Sequence, residues 1–213
     1  MPAPAIKICG IASPEALDAV IAARADYAGF VFFPPSPRHV SLEVAAALAA
    51  RSADRVSRVG LFVDADDATI AKAIKAGRLN VLQLHGKESP ERAAQLRAAF
   101  SLPVWKALPV ATREDVTRAK DYAGAVDMVL FDAKTPKGTL PGGMGVVFDW
   151  SLLGGENLPL AWGLAGGLAA DNVGEAVRIT RAPLVDTSSG VESAPGVKDA
   201  ARIAAFCAAV RAA

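Results

Sequence analysis

Three observations predict an α/β protein whose eight parallel strands close into one barrel. Short β-branched or apolar runs alternate with helix-like segments along the chain, the runs number eight, and the residues able to do chemistry fall at their C-terminal ends. Alternation of this kind implies parallel β/α units, because a parallel connection needs a crossover long enough to hold a helix. A doubly wound open sheet uses about five to seven strands, whereas eight is the closing number of a (β/α)8 TIM barrel. At 213 residues the chain lies near the lower end for that fold, so most loops must be short.

The first strand is "AIKIC" (5–9), and the helix-like segment 14–24 follows it. That segment opens at Ser13-Pro14-Glu15, a capping serine with proline at the first helical position. "YAGFVF" (27–32) precedes a helix over 42–53, and "SRVGLFV" (57–63) one over 66–76. "NVLQLH" (80–85) leads through Ser89-Pro90-Glu91 into 89–99, and "PVWKAL" (103–108) into 113–122. "VDMVLFD" (126–132) is followed by a Gly/Pro-rich stretch with at most a short helix near "DWSLL". "LPLAWGLA" (158–165) precedes a helix over 171–180 that starts at Ala170-Asp171-Asn172, and "APLVDTS" (182–188) precedes one over 197–210. No linker or low-complexity tract divides the chain and its halves show no repeat, so residues 1–213 read as one domain.

Composition narrows the function classes. Hydrophobic residues make up 52% and charged residues 21%, as in a packed globular protein rather than a disordered one. The 23 basic and 22 acidic side chains balance to +1, with no basic stripe interleaved with aromatics, so nucleic acid is a poor partner. Glu, Arg or Asp interrupts every alanine-rich stretch, so no membrane span is expected, and the N-terminus has no secretory signature. Cys9 and Cys207 make neither a disulfide framework nor a zinc pattern, which points to a reducing cytoplasm.

The strand ends carry the chemistry. Lys7 and Cys9 share one strand face while Ile6 and Ile8 point to the helices. A lysine facing into a barrel needs a partner, and Asp186 on the adjoining eighth strand is expected to supply one. A cation near Cys9 favours the thiolate, the form that acts as base or nucleophile. Cys9 reads equally well as a small buried apolar residue, the reading that holds for Cys207. Asp132 ends the run "MVLFD", where burial could keep it protonated as a general acid, or where it could cap a loop.

Gly166-Gly167 follow strand seven, and Ser188-Ser189-Gly190 follow strand eight ahead of an expected helical turn. Glycine-lined loops at these two positions suit a phosphate, held by backbone N–H groups at Gly166, Gly167, Ser189 and Gly190. Arg38, in "FPPSPRHVS", could take a carboxylate in two parallel hydrogen bonds or stand exposed beside Pro37. Gln83 and His85 face the mouth from strand four, as substrate contacts or structural hydrogen bonders. The loop "AKTPKGTLPGGMG" reads as a lid over the site or as a flexible surface loop.

With these residues assembled, the chain resembles the phosphoribosylanthranilate isomerases of tryptophan biosynthesis. The motifs run in family order: "KICG", "GFVF" with "SPR", "GLFV", "QLHG.E", "LFDA", "PGGMG..FDW", "LAGGL...NV" and "VDTSSGVE..PGVKD". The resemblance implies a barrel that isomerises N-(5-phosphoribosyl)anthranilate to the 1-deoxyribulose phosphate by an Amadori rearrangement. It implies that Asp132 protonates the ribose ring oxygen, that the ring opens to a Schiff base, and that Cys9 removes the proton from the adjacent sugar carbon. The phosphate would sit at the two glycine loops and Arg38 would meet the anthranilate carboxylate, with no metal or other cofactor and the chain a monomer or homodimer. Met144 and Thr187 depart from the family pattern, a small polar and an aliphatic residue being usual there, and "KTPKGTL" lengthens its loop.

Two rivals stand beside this reading. The sister Amadori isomerase of histidine biosynthesis carries an aspartate at the end of strand one and a phosphate site in each half-barrel. Here Cys9 takes that place, and "LFVDADD" after strand three has no Gly-Gly pair. A barrel that binds a phosphorylated metabolite without chemistry is the other rival, because fold alone does not give function. A thiol redox enzyme is disfavoured because Cys9 has no resolving cysteine nearby.

Overall fold

A computed structural model describes residues 3–134, 147–154 and 158–213. Eight parallel strands form a closed barrel in sequential order, each hydrogen-bonded to the next and the eighth to the first. They are β1 (Ala5–Cys9), β2 (Tyr27–Val31), β3 (Ser57–Phe62), β4 (Val81–Leu84), β5 (Val104–Val110), β6 (Met128–Ala133), β7 (Ala161–Leu164) and β8 (Leu184–Thr187). The helices are α1 (Pro14–Ala22), α2 (Leu42–Ser52), α3 (Asp67–Gly77), α4 (Pro90–Phe100), α5 (Arg113–Thr117), α6 (Val173–Thr180) and α7 (Ala200–Arg211). Every expected strand and helix is present.

Local chemistry starts the helices where the sequence places them. Ser13, Ser41, Asp66 and Ser89 each accept a hydrogen bond from the backbone N–H three residues on, and Thr112 and Asp115 form a reciprocal capping box. The fifth helix is shorter than expected, with a 3₁₀ turn taking over from Arg118 to Tyr122. "DWSLL" forms a 3₁₀ turn over Trp150–Leu153. The segment after β8 folds into a 3₁₀ turn, Ser189–Val191, and a small hairpin of β9 (Glu192–Ala194) and β10 (Val197–Lys198) that the apolar pattern does not signal.

The period-two rule sorts the strand residues into two cores. Outward residues such as Ile6, Ile8, Phe30, Leu82 and Val129 pack under the helices in the larger cluster. Inward residues, including Val59, Val81, Trp105, Leu130 and Leu184, fill the barrel interior. Above them Cys9, Val31 and Leu61 form a third small cluster at the C-terminal mouth. The barrel is therefore a packed plug open only at the end where the polar residues gather.

Candidate active site

Register brings the first pair together. Lys7 and Asp186 are direct partners across the β1–β8 seam, and Lys7 Nζ donates to Asp186 Oδ2 at 2.7 Å with the lysine fully buried. Burial works against the ammonium, but attraction to Asp186 and then Cys9 outweighs it and holds Lys7 above its usual range. Burial pushes Asp186 up more than Lys7 pulls it down, so the two partners point opposite ways on the charged pair. The short contact, with no other cation bonded to Asp186 among the described residues, favours the ion pair.

Cys9 is 6% exposed and lines the pocket at the mouth. Burial raises the Cys9 thiol above its ordinary value, and Lys7 only partly offsets that because Asp186 already neutralises the lysine. Gly10 follows Cys9 with φ +80, a conformation that strains other residues, and a side chain there would strike Arg38 Cδ at 2.7 Å.

Asp132 reaches the same pocket from β6, where His85 Nε2 lies 3.2 Å from its Oδ2. Both side chains are largely buried. Gln83 points inward two residues before His85, and both line the pocket. Gln83 Oε1, His85 Nδ1 and Asp186 Oδ1 are buried with no hydrogen-bond partner among the described residues. Buried polar atoms of this kind are costly unless paired, and these three lie where a polar ligand could meet them.

The opposite wall is backbone. Gly166, Gly167, Ser188 and Ser189 line the pocket, and Gly166 (φ +85) passes so close to Ala133 N that a side chain cannot be placed there without a shift. Gly190 stands behind them in the 3₁₀ turn, packed against Leu168. Asn172 precedes α6 without capping it through its side chain. It turns back, accepting from Ala169 N and donating to Gly167 O, both at 2.9 Å, because the glycine loop leaves those groups otherwise unpaired. Thr187 donates its hydroxyl to Leu168 O at 2.6 Å. The loop is held from both sides.

Arg38 also lines the pocket, but its Nε and Nη2 edge lies on the Glu192 carboxylate, with both contacts at 2.7 Å. Lys198 Nζ donates to Glu192 Oε1 at 2.6 Å and to Ser188 O and Oγ, and Ser188 Oγ donates to Cys9 O at 3.1 Å. Sequence reasoning quoted Ser188, Glu192 and Lys198 within a motif and gave them no role. The only signal was two charges flanking a Pro-Gly turn, and their meeting depends on the hairpin. The loop residues "TPKGTLPGGMG" (135–145), Met144 among them, lie outside the described residues. Cys207 packs in the core on α7.

The pocket thus joins a thiol on β1, a carboxyl on β6 beside an imidazole just after β4, an arginine on the loop after β2, and a backbone-lined wall after β7 and β8. Known proteins share this architecture. The sequence profile described as "PRAI: N-(5'phosphoribosyl)anthranilate (PRA) isomerase" matches residues 6–209. The N-(5'-phosphoribosyl)anthranilate isomerase of Rhodopseudomonas palustris strain BisA53 is 55% identical over 208 residues, 97% of this chain and 95% of that protein. The crystal structure of the Thermotoga maritima phosphoribosyl anthranilate isomerase superposes with a TM-score of 0.88 at 35% identity, over 99% of this chain and 100% of that one. A second crystal structure of such an isomerase, in complex with reduced 1-(o-carboxyphenylamino)-1-deoxyribulose 5-phosphate, matches with a TM-score of 0.86 at 33% identity, over 99% and 100% of the two chains. Profile, sequence and architecture agree along nearly the whole chain, which therefore belongs to the N-(5'-phosphoribosyl)anthranilate isomerase family.

Proposed function

We propose that this protein isomerises N-(5-phosphoribosyl)anthranilate to 1-(2-carboxyphenylamino)-1-deoxyribulose 5-phosphate in tryptophan biosynthesis, by general acid–base catalysis between Asp132 and Cys9. One observation carries the reading: a thiol and a carboxyl from opposite sides of the barrel line one pocket, whose remaining wall is exposed backbone beside Gly166, Gly167 and Ser189. The reaction needs one group that gives a proton and one that takes one, at neighbouring atoms of a sugar phosphate.

The substrate phosphate is taken by backbone N–H groups at Gly166, Gly167, Ser189 and Gly190, which places the ribose between the acid and the base. The proton on the Asp132–His85 contact passes to the ring oxygen, the bond from that oxygen to the anomeric carbon breaks, and the anthranilate nitrogen supplies the electrons for a C=N bond. Cys9, as thiolate, takes the proton from the adjacent sugar carbon, and the electrons left behind form the enolamine. The enolamine tautomerises to the ketone, so the sum is an isomerisation and no atom is lost. Lys7 supports the thiolate that forms, Asp186 holds Lys7, Gln83 offers a polar contact to the sugar, and Arg38 meets the carboxylate of the aromatic ring.

We further take the chain 1–213 to act as one domain, on a small phosphorylated substrate, in the cytoplasm. No described helix is long and apolar enough to cross a membrane. The test is to add the purified protein to phosphoribosylanthranilate, follow the loss of anthranilate-type fluorescence, and identify the product by mass and by its ketone. Accelerated loss with formation of the carboxyphenylamino deoxyribulose phosphate is expected. A folded protein that leaves the spontaneous rate unchanged overturns the assignment in favour of a binding protein.

A further inference from the structure

Glu192 is a buried carboxylate that serves two cations at the mouth of the pocket. Its Oε2 accepts from Arg38 Nη2 at 2.7 Å, and its Oε1 accepts from both Arg38 Nε at 2.7 Å and Lys198 Nζ at 2.6 Å. Its side chain is 4% exposed, and that of Lys198 is 1% exposed. Its own backbone carbonyl accepts from Arg202 Nη1 on α7, which fixes the start of the hairpin to the barrel wall. A guanidinium held through two parallel bonds keeps both position and plane, whereas one held through a single contact can swing. Arg38 lies on a loop between β2 and α2, and Ser36 Oγ accepts from its backbone N. The paired contact with Glu192 fixes one edge of the guanidinium.

We propose that Glu192 is a positioning residue: it holds the plane of Arg38 so that the arginine receives the aromatic carboxylate of the substrate, and the β9–β10 hairpin exists at this end of the barrel to deliver it. The inference rests on the assignment of Arg38 to that carboxylate. The electrostatics fit the role. Burial works against charge on Glu192, but Arg38 and then Lys198 outweigh it and hold the carboxyl below its usual range. The three side chains together carry one surplus positive charge beside a pocket meant for a phosphate and a carboxylate. Lys198 supplies the second tie, because its bonds to Ser188 lock the hairpin to the segment that also bonds Cys9 O.

The test compares two probes on the parent protein and on E192Q and E192D. One is reduced 1-(o-carboxyphenylamino)-1-deoxyribulose 5-phosphate, and the other is the same molecule without the carboxylate. The parent is expected to bind the carboxylated probe about 10- to 100-fold more tightly, the usual worth of a charge-assisted bidentate contact. In E192Q that preference should fall to about threefold or less, through loss of affinity for the carboxylated probe alone, with KM for substrate rising more than kcat falls. E192D keeps the charge but withdraws it by one methylene, and should lie between the two. A general structural defect would weaken both probes equally, and that result in a folded E192Q overturns the proposal. So does a parent-like preference in E192D, which decides the matter if E192Q does not fold. A parent protein with no preference between the probes removes Arg38 from the carboxylate and takes the inference with it.

Discussion

Lys7 and Asp186 face each other across the seam that closes the barrel, residue against residue in register, and their side chains meet at 2.7 Å. A charge pair sealed in a barrel interior stabilises far less than its short distance suggests, because desolvation offsets most of the attraction. Removing one partner is another matter. Lys7→Met leaves the Asp186 carboxylate buried and alone, and should lower stability by about 3–5 kcal/mol. Lys7→Met with Asp186→Leu should recover most of that loss, since both charges are then gone. Thermal or denaturant unfolding of the single and double variants checks this, and a double variant no more stable than Lys7→Met alone contradicts it.

His85 and Asp132 share one contact, at 3.2 Å, so their contributions to catalysis should not add. His85→Ala is expected to lower kcat by about one to two orders of magnitude in the parent, within the range for a group assisting proton transfer. In an Asp132→Asn background the same change should cost about threefold or less, because the proton it assists is no longer there. The four rates form a cycle, and equal losses in both backgrounds would show that His85 acts elsewhere.

Gly166 has no room for a side chain: its φ is +85, and an added Cβ would press on Ala133 N and come within 3.0 Å of Asp132 Oδ1. Gly166→Ala should therefore cost about 1–3 kcal/mol of stability and displace the backbone that takes the phosphate. Inorganic phosphate as a competitive inhibitor reads the second effect. Its inhibition constant should rise about tenfold or more, and an unchanged constant would move the phosphate away from this loop.

Burial raises the Cys9 thiol, and that fixes the sign of one pH effect. With a carboxyl as acid and a thiol as base, the working form has its proton on the carboxyl and none on the thiol. Its population falls once the free enzyme's thiol has titrated. The basic limb of kcat/KM should therefore lie above the ordinary thiol value of about 8.5. A limb centred at or below pH 8 would mean that the thiol is activated in the free enzyme. For stability the sign is the opposite of a lowered carboxylate. A thiol raised by folding contributes stability that is present below its unfolded pKa and is lost as pH climbs through the folded value.

The barrel was legible in the sequence because period-two runs, serine caps and strand count all point to one closure, and because Lys7 needs a partner that only β8 supplies. Cys9, Asp132, Gly166 and Ser189 were legible as strand ends. What could not be read was the balance of burial against charge at Cys9, since whether Lys7 is free to act depends on how completely Asp186 neutralises it. Nor could the hold on Arg38 be read. Glu192 and Lys198 lie more than 150 positions away in sequence, on a hairpin too short for any periodic signal, and only the folded chain brings them together. The backward turn of Asn172 onto Ala169 N and Gly167 O was not read either, because the sequence does not specify the path of that loop.

The central claim is that Cys9 and Asp132 act as one base and one acid across the pocket. The most direct test is the fluorescence decay of phosphoribosylanthranilate, generated in place from anthranilate and the activated ribose, with the parent protein, Cys9→Ala, Asp132→Ala and the double variant. Fast decay with the parent, a fall of about two to four orders of magnitude in each single variant, and little further loss in the double variant are predicted. A folded Cys9→Ala or Asp132→Ala protein that turns over substrate at near the parent rate would contradict the account.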